Sequence, residues 1–165
     1  MTAKRPSLGV YLTAWAVIHL WSIASGFQLV PYPNGEFLFS DVRLYDWWAV
    51  NMSLGTFPVG DDAWQYPPLA AIVFLAGWHI AGDTVGFVLL GLIADVALTV
   101  ALFFAGRHAA RPTELPVQLW LAAPLLVGPI AQGRFDVFPT AVAVAGLLSV
   151  SVTSRGAWWA VGAWW

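Results

Sequence analysis

Apolar runs long enough to cross a membrane recur along this chain, and they constrain its fold more than any other feature. A membrane-spanning helix needs about 20 apolar residues, and the candidate runs cover residues 8–30, 84–106, 115–131 and 137–153. Hydrophobic residues make up 59% of the chain and charged residues 10%, whereas a soluble domain is about a quarter charged. The alternating pattern of strands is absent, and helices satisfy their own backbone groups in lipid. The sequence therefore predicts an all-α fold, a polytopic transmembrane helical bundle forming a single domain over residues 1–165.

A weaker apolar run at 67–82 decides the predicted topology. If this run crosses the membrane, three basic residues face the cytoplasm and four face outside; if it does not cross, the numbers are five and two. The second arrangement follows the positive-inside rule. We therefore expect a non-crossing segment, and the crossing alternative stays open. The same reasoning predicts a multi-pass protein of the cell membrane, with a cytoplasmic N-terminus before a signal anchor and an extracytoplasmic first loop.

The last apolar run begins at Gly156 and continues to Trp165. Ten residues of helix extend about 15 Å, which is half of the hydrocarbon thickness of a bilayer. A helix that ended there would leave its last carbonyl groups unsatisfied in lipid. We therefore expect this chain to be the N-terminal part of a longer protein with further spans.

Several classes of function are excluded or disfavoured by residue types. A net charge of −2 without a basic stripe argues against a nucleic-acid partner, and the absence of cysteine excludes disulfides and thiolate sites. The three histidines lack metal-ligand spacing. Asp61 and Asp62 are adjacent, so their side chains point apart, and no third ligand is evident. The sequence thus predicts neither a metal site nor a cofactor.

The first loop, residues 31–66, carries most of the polar side chains, beginning with the stretch FSDVRLYDWW at 39–48. After Asp41, apolar residues at 44, 45, 47, 48 and 52 follow helical spacing. This pattern predicts an amphipathic helix lying on the membrane, with its tryptophans among the lipid headgroups. Asp41 itself is either a functional carboxylate, a solvated loop residue or the N-cap of that helix.

Three motifs in this region resemble a known family. They are D-V-R-L-Y (Asp41 to Tyr45), G-T-F-P (Gly55 to Pro58) and W-Q-Y-P-P-L (Trp64 to Leu69), and a later turn reads Q-G-R-F-D (Gln132 to Asp136). Together they resemble the polyprenyl-phosphate-mannose-dependent mannosyltransferases of the GT-C glycosyltransferase superfamily. The layout is similar over roughly residues 8–153. That family has Gly-Gln in its later turn, whereas this chain has Gln-Gly.

The resemblance implies a GT-C-like bundle and a hexosyltransferase. Such an enzyme moves mannose or a related sugar from a polyprenyl-phosphate donor to a lipid-linked or cell-envelope glycan acceptor, among membrane lipids. It also implies that Asp41 is the counterpart of the family's catalytic acidic group. A donor of this kind has an acidic leaving group, so the reaction needs a base for the acceptor hydroxyl and a cation for the phosphate. Asp41 suits the first role, and Arg43 or Arg134 suits the second.

The predicted substrate-binding residues have structural alternatives. They are Arg43, Tyr45, Tyr66, Arg134 and Asp136. Tyr66 with the two prolines that follow it equally fits a bend into the next helix, and Arg134 equally fits an ion pair with Asp136.

Two polar residues inside predicted spans supply a different expectation. Asp95 should be neutral, paired or turned to the bundle interior, because a charge in mid-membrane costs about 2.5–3.5 kcal/mol. His19 fits a helix–helix hydrogen-bonding group better than a base. If such residues instead mark a pathway, the protein is a transporter. A non-catalytic membrane scaffold is the remaining alternative.

Overall fold

The computed structural model describes residues 5–109 and 112–153. This part of the chain is entirely helical, as predicted, and contains no strand. Its α-helices are α1 Leu8–Gly26, α2 Ser40–Ser53, α3 Ala70–Ala81, α4 Thr84–His108, α5 Leu115–Val127 and α6 Val137–Thr153. Short 3-10 helices occupy Gly35–Phe37 and Pro129–Gly133. The predicted final run, 156–165, lies outside the described residues.

Two helices in the described ranges, α1 and α4, are long and apolar enough to cross a membrane, with 19 and 25 residues. The other predicted spans correspond to shorter helices. The prediction of one helix over 115–131 was wrong, because α5 ends at Val127. Gly128 follows with φ +89°, a backbone conformation that favours glycine, and Pro129 then opens a 3-10 helix.

Helices α1, α4 and α5 are joined at one end of the molecule by charged side chains. Arg107, near the end of α4, donates a hydrogen bond to the carbonyl oxygen of Pro6. The same guanidinium lies 3.3 Å from the carboxylate of Glu114 at the start of α5. Glu114 also accepts a hydrogen bond from Tyr11 on α1 at 2.7 Å. These contacts hold the first turn of α1 beside the last turn of α4.

An aromatic core joins α2, α3 and the start of α4. Tyr45 and Trp48 on α2 stack with Phe74 on α3, and Phe87 on α4 packs against Tyr45 and Phe74. All four side chains are buried. The prediction that the α2 tryptophans lie among lipid headgroups was therefore wrong for Trp48, whereas Trp47 is exposed. The apolar stripe of α2 is used for packing inside the protein.

Both ends of α3 lie close to α2. Just before α3, the hydroxyl of Tyr66 is 2.7 Å from the hydroxyl of Tyr45. Just after α3, the hydroxyl of Thr84 donates to Asp46 at 2.8 Å. With 12 residues, α3 extends about 18 Å, much less than the hydrocarbon thickness of about 30 Å.

Acidic side chains gather at this α2 end of the molecule, opposite Arg107. They are Glu36, Asp41, Asp46, Asp61, Asp62, Asp83 and Asp136. Helix α4 connects the two ends, because Thr84 contacts α2 whereas Arg107 contacts Pro6, just before α1. Its length, about 37 Å, matches a membrane thickness. The two ends therefore differ in charge.

Candidate functional site

The site begins with an ion pair between Asp41 and Arg134. Asp41 lies in the first turn of α2, whose N-cap is Phe39, so the N-cap alternative for Asp41 was wrong. Arg134 follows the 3-10 helix at Pro129–Gly133 and donates to Oδ2 of Asp41 across a sequence separation of 93 residues. Both side chains remain accessible, with 34% of Asp41 and 46% of Arg134 exposed.

Gly133 explains how this ion pair forms. A Cβ atom at this position would lie 2.7 Å from the carbonyl oxygen of Leu38 and 3.0 Å from the ring of Phe39. Only a glycine therefore lets the turn rest directly on the start of α2. That close approach brings the next residue, Arg134, to Asp41.

The alternative pairing of Arg134 with Asp136 was wrong. Asp136 is exposed, and its backbone carbonyl oxygen accepts from the hydroxyl of Thr140 at 2.7 Å. Within the described part of the chain, only Nη1 of Arg134 has a partner, so the other guanidinium nitrogens are available to an anion.

Arg43 lies close in sequence to Asp41, but its side chain binds the backbone of the first loop. Its Nη2 donates to the backbone carbonyl oxygen of Glu36 at 2.9 Å, which holds the 3-10 turn Gly35–Phe37 against α2. The side chain is exposed. A role for Arg43 in substrate binding stays a prediction.

Tyr45 and Tyr66 lie behind the ion pair. Burial, with the hydrogen bond that Tyr45 shares with Tyr66, holds the pKa of Tyr45 well above its usual range, so its hydroxyl stays protonated. The Tyr45 ring is buried in the aromatic core, whereas Tyr66 is half-buried and contacts Phe135, next to Arg134. The turn Pro67–Leu69 then leads into α3. In this structure Tyr45 packs in the aromatic core next to the site. Its predicted contact with the substrate stays a prediction.

Beside the ion pair, a cavity of about 250 Å³ opens between α4, α5 and α6. Its lining consists of Asp95, Trp120, Ala123, Pro124, Val127, Ala131, Gln132, Arg134, Asp136, Val137 and Thr140. Arg134 and Asp136 lie where the 3-10 helix meets α6. Trp120 lies two turns of α5 before Val127, or about 10 Å along the helix, and Asp95 lies beside Trp120, Gln132 and Val137.

Asp95 lines this cavity and is turned to the bundle interior, as predicted for an acidic group inside a span. It is 6% exposed. Its Oδ1 accepts from the indole nitrogens of Trp15 at 2.8 Å and Trp120 at 3.2 Å. These bonds join α1, α4 and α5 around one carboxylate.

His19 lies beside this cluster, but the predicted helix–helix hydrogen bond is not formed among the described residues, because its hydrogen bond stays within α1. Its Nδ1 lies 2.8 Å from the carbonyl oxygen of Trp15. Its Nε2 lies 3.3 Å from Oδ1 of Asp95, without hydrogen-bond geometry. Because a carbonyl oxygen only accepts, the hydrogen is assigned to Nδ1.

The sequence pattern did not identify Trp120 and Gln132 as site residues. Gln132 is buried and lines the cavity beside Asp95. The sequence did indicate that a residue like Trp120 was needed. An acidic group inside a span requires hydrogen-bond donors from neighbouring spans, and an indole nitrogen is such a donor. Nothing in the sequence indicated which tryptophan would supply it.

The described residues contain no group of three or more histidine, aspartate or glutamate side chains arranged to hold a metal ion. No protein-family model, curated protein or solved structure matches the chain. Its function is therefore argued from the geometry of these residues.

Proposed function

We propose that this protein is an integral-membrane glycosyltransferase of GT-C-like architecture. It transfers mannose or a related sugar from a polyprenyl-phosphate donor to a lipid-linked or cell-envelope glycan. The observation that carries the proposal is the ion pair of Asp41 and Arg134 at the mouth of a cavity. It brings together one carboxylate and one guanidinium, the two groups that the reaction requires, from distant parts of the chain.

The chemistry assigns one step to each group. The acceptor hydroxyl oxygen forms a bond to the anomeric carbon, while the bond from that carbon to the phosphate oxygen breaks. The hydroxyl proton goes to the Asp41 carboxylate, and the electron pair of the broken bond leaves with the phosphate. Arg134 stabilises the departing phosphate through the guanidinium nitrogens that Asp41 does not occupy.

Two features of the fold support an extracytoplasmic site in a multi-pass protein. Both ends of α3 lie beside α2, which fits a helix that does not cross the membrane. The basic Arg107 end then faces the cytoplasm, as the positive-inside rule favours. The first loop and the turn carrying Arg134 share the opposite side.

The surroundings of the cavity also suit a lipid-linked donor. Val127 on α5 lines the cavity and is an exposed apolar side chain, and its exposed neighbour Leu126 and Leu125 before it extend this apolar surface of α5. A polyprenyl tail lying along them would remain in the bilayer while its phosphate reaches Arg134. The donor would thus enter sideways from the membrane.

The test is sugar transfer by membranes containing the full-length protein, with radiolabelled polyprenyl-phosphate-mannose and a glycolipid acceptor. Asp41→Asn should lower the transfer rate by about 10²–10⁴-fold, because the carboxamide cannot accept the proton. The matched control is Asp62→Asn, which removes an exposed carboxylate in the same loop and should leave the rate unchanged. Full transfer activity in Asp41→Asn contradicts the assignment.

The transporter alternative draws on one observation, the carboxylate of Asp95 inside the bundle. The lining of the cavity, however, reaches from Arg134 only as far as Asp95 and Trp120 and includes no residue of the Arg107 end. A cavity open to one side fits a binding or catalytic site better than a pathway. Substrate accumulation inside sealed vesicles, unaffected by Asp41→Asn, would favour transport.

A further inference from the structure

We propose that the cavity between α4, α5 and α6 binds a single sugar unit, and that Asp95 and Gln132 in its lining determine which sugar is accepted. The proposal rests on the proposed function for the source of that sugar, the polyprenyl-phosphate donor. It adds two recognition residues to the reacting pair, Asp41 and Arg134.

The first argument is the hydrogen-bonding capacity that two lining side chains leave open. Gln132 is 7% exposed and lines the cavity, and its side-chain amide has no partner among the described residues. Asp95 uses Oδ1 for the two indoles, whereas Oδ2 has no partner in the described part of the chain. None of these free polar atoms is fully enclosed by protein, so a ligand in the cavity can reach them. A sugar, which carries several hydroxyl groups that donate and accept, satisfies both side chains.

The second argument is the distribution of charge. The cavity is lined by two carboxylates, Asp95 and Asp136, and by one guanidinium, Arg134, which already contacts Asp41. Arg134 is the one cationic side chain among the described residues of this lining, so we place the donor phosphate at Arg134. The remaining polar groups, including Gln132 and Asp95, suit a neutral, hydroxyl-rich group. This orients the donor with its sugar inward.

The third argument is size and shape. A volume of about 250 Å³ lies just below the range of about 300–1,000 Å³ found for sites of drug-sized ligands. It fits one sugar unit and excludes an oligosaccharide. The walls are apolar side chains of α5, including Ala123 and Pro124, and the ring of Trp120 offers a flat surface beside Asp95.

The test compares two probes on the purified full-length protein in lipid nanodiscs: undecaprenyl phosphate bearing mannose, and undecaprenyl phosphate alone. Wild type should bind the mannosyl probe more tightly. Gln132→Leu and Asp95→Asn should each reduce this preference about tenfold, the equivalent of one lost hydrogen bond in a buried site. Affinity for the sugar-free probe should stay unchanged, because Arg134 still holds the phosphate.

The control for Gln132→Leu is Gln118→Leu, the same change at an exposed position of α5 outside the cavity. It should keep the preference. Ala123→Leu fills the cavity without altering a polar group and should also abolish the preference. The unfolding temperature of each variant separates a folding defect from a loss of recognition. In addition, the ratio of the affinities for the two probes does not change when a fraction of the protein is unfolded.

Two results overturn the inference: equal affinity of wild type for both probes, or a preference that survives Gln132→Leu, Asp95→Asn and Ala123→Leu. Neither result depends on catalysis. A protein that discriminates the sugar but shows the same transfer rate in Asp41→Asn contradicts the proposed reaction and leaves the binding site standing. The opposite outcome, transfer that requires Asp41 without dependence on the cavity variants, contradicts only the sugar site.

Discussion

At the scale of single residues, hydrogen bonds between polar side chains connect elements that are distant in sequence. Thr84 donates to Asp46 at 2.8 Å, and the buried indole of Trp48 donates to Asp61 at 2.8 Å. The pKa values of the two aspartates are shifted in opposite directions. Burial raises the pKa of Asp46, whereas the hydrogen bond from Trp48 lowers the pKa of Asp61.

This contrast predicts a stability change at Asp46. In the folded protein the pKa of Asp46 lies above its ordinary value. The free energy of unfolding therefore falls as the pH rises from the ordinary pKa through the raised pKa. This loss of stability is complete at neutral pH. Asp46→Asn keeps an acceptor for Thr84 without the charge and should raise the unfolding temperature at neutral pH. The gain should vanish when the pH falls below 3.8, the ordinary value. The measurement is thermal unfolding in nanodiscs across pH.

Asp61→Asn provides the comparison with opposite sign. The ionised Asp61 contributes stability above its ordinary pKa, and this contribution is lost as the pH falls through the lowered pKa. The variant should therefore lower the unfolding temperature at neutral pH and flatten the acid side of the profile. Equal shifts in the same direction for both variants would contradict these assignments.

At the scale of helices, glycines decide which elements approach closely. Gly86 at the start of α4 packs on Gly77 of α3, and a Cβ atom there would overlap the carbonyl oxygen of Gly77 and lie 2.8 Å from its carbonyl carbon. The obstacle is backbone, which cannot rotate away. The aromatic core of α2, α3 and α4 depends on this contact.

Gly86→Ala should therefore destabilise the protein by about 1–3 kcal/mol, the usual cost of overpacking. Gly146→Ala on α6 is the matched control, because a Cβ atom there meets nothing within 4 Å among the described residues. It should be neutral or stabilise by up to about 1 kcal/mol through helix propensity. Denaturation in mixed detergent measures both, and similar stabilities for the two variants would argue against the close packing of α3 on α4.

At the scale of the whole molecule, the charged ends lie on opposite sides of the bilayer in the proposed topology. The chain contains no cysteine, so single cysteines report accessibility without a background. Positions 62 and 81 flank α3, and position 108 lies at the Arg107 end; all three are exposed.

Asp62→Cys and Ala81→Cys should both react with a membrane-impermeant maleimide in intact cells, because α3 does not cross the membrane in the proposed topology. His108→Cys should react only after permeabilisation. Labelling of position 62 without position 81 would mean that α3 crosses the membrane, and the proposed topology would then be wrong. As a control, each cysteine variant should react completely with the maleimide once it is unfolded, which shows that the reagent is active.

The helices themselves, and the presence of an acidic group in the first loop, were predictable from the sequence, because the length and spacing of apolar residues are local properties. The pairing of Asp41 with Arg134, 93 residues further along the chain, was not, since it depends on a turn resting on α2 through Gly133. The burial of Trp48 and the donors around Asp95 likewise depend on which helix faces pack together. Apolar periodicity identifies a face but does not choose its partner, so the sequence determined the elements and the tertiary packing decided the site.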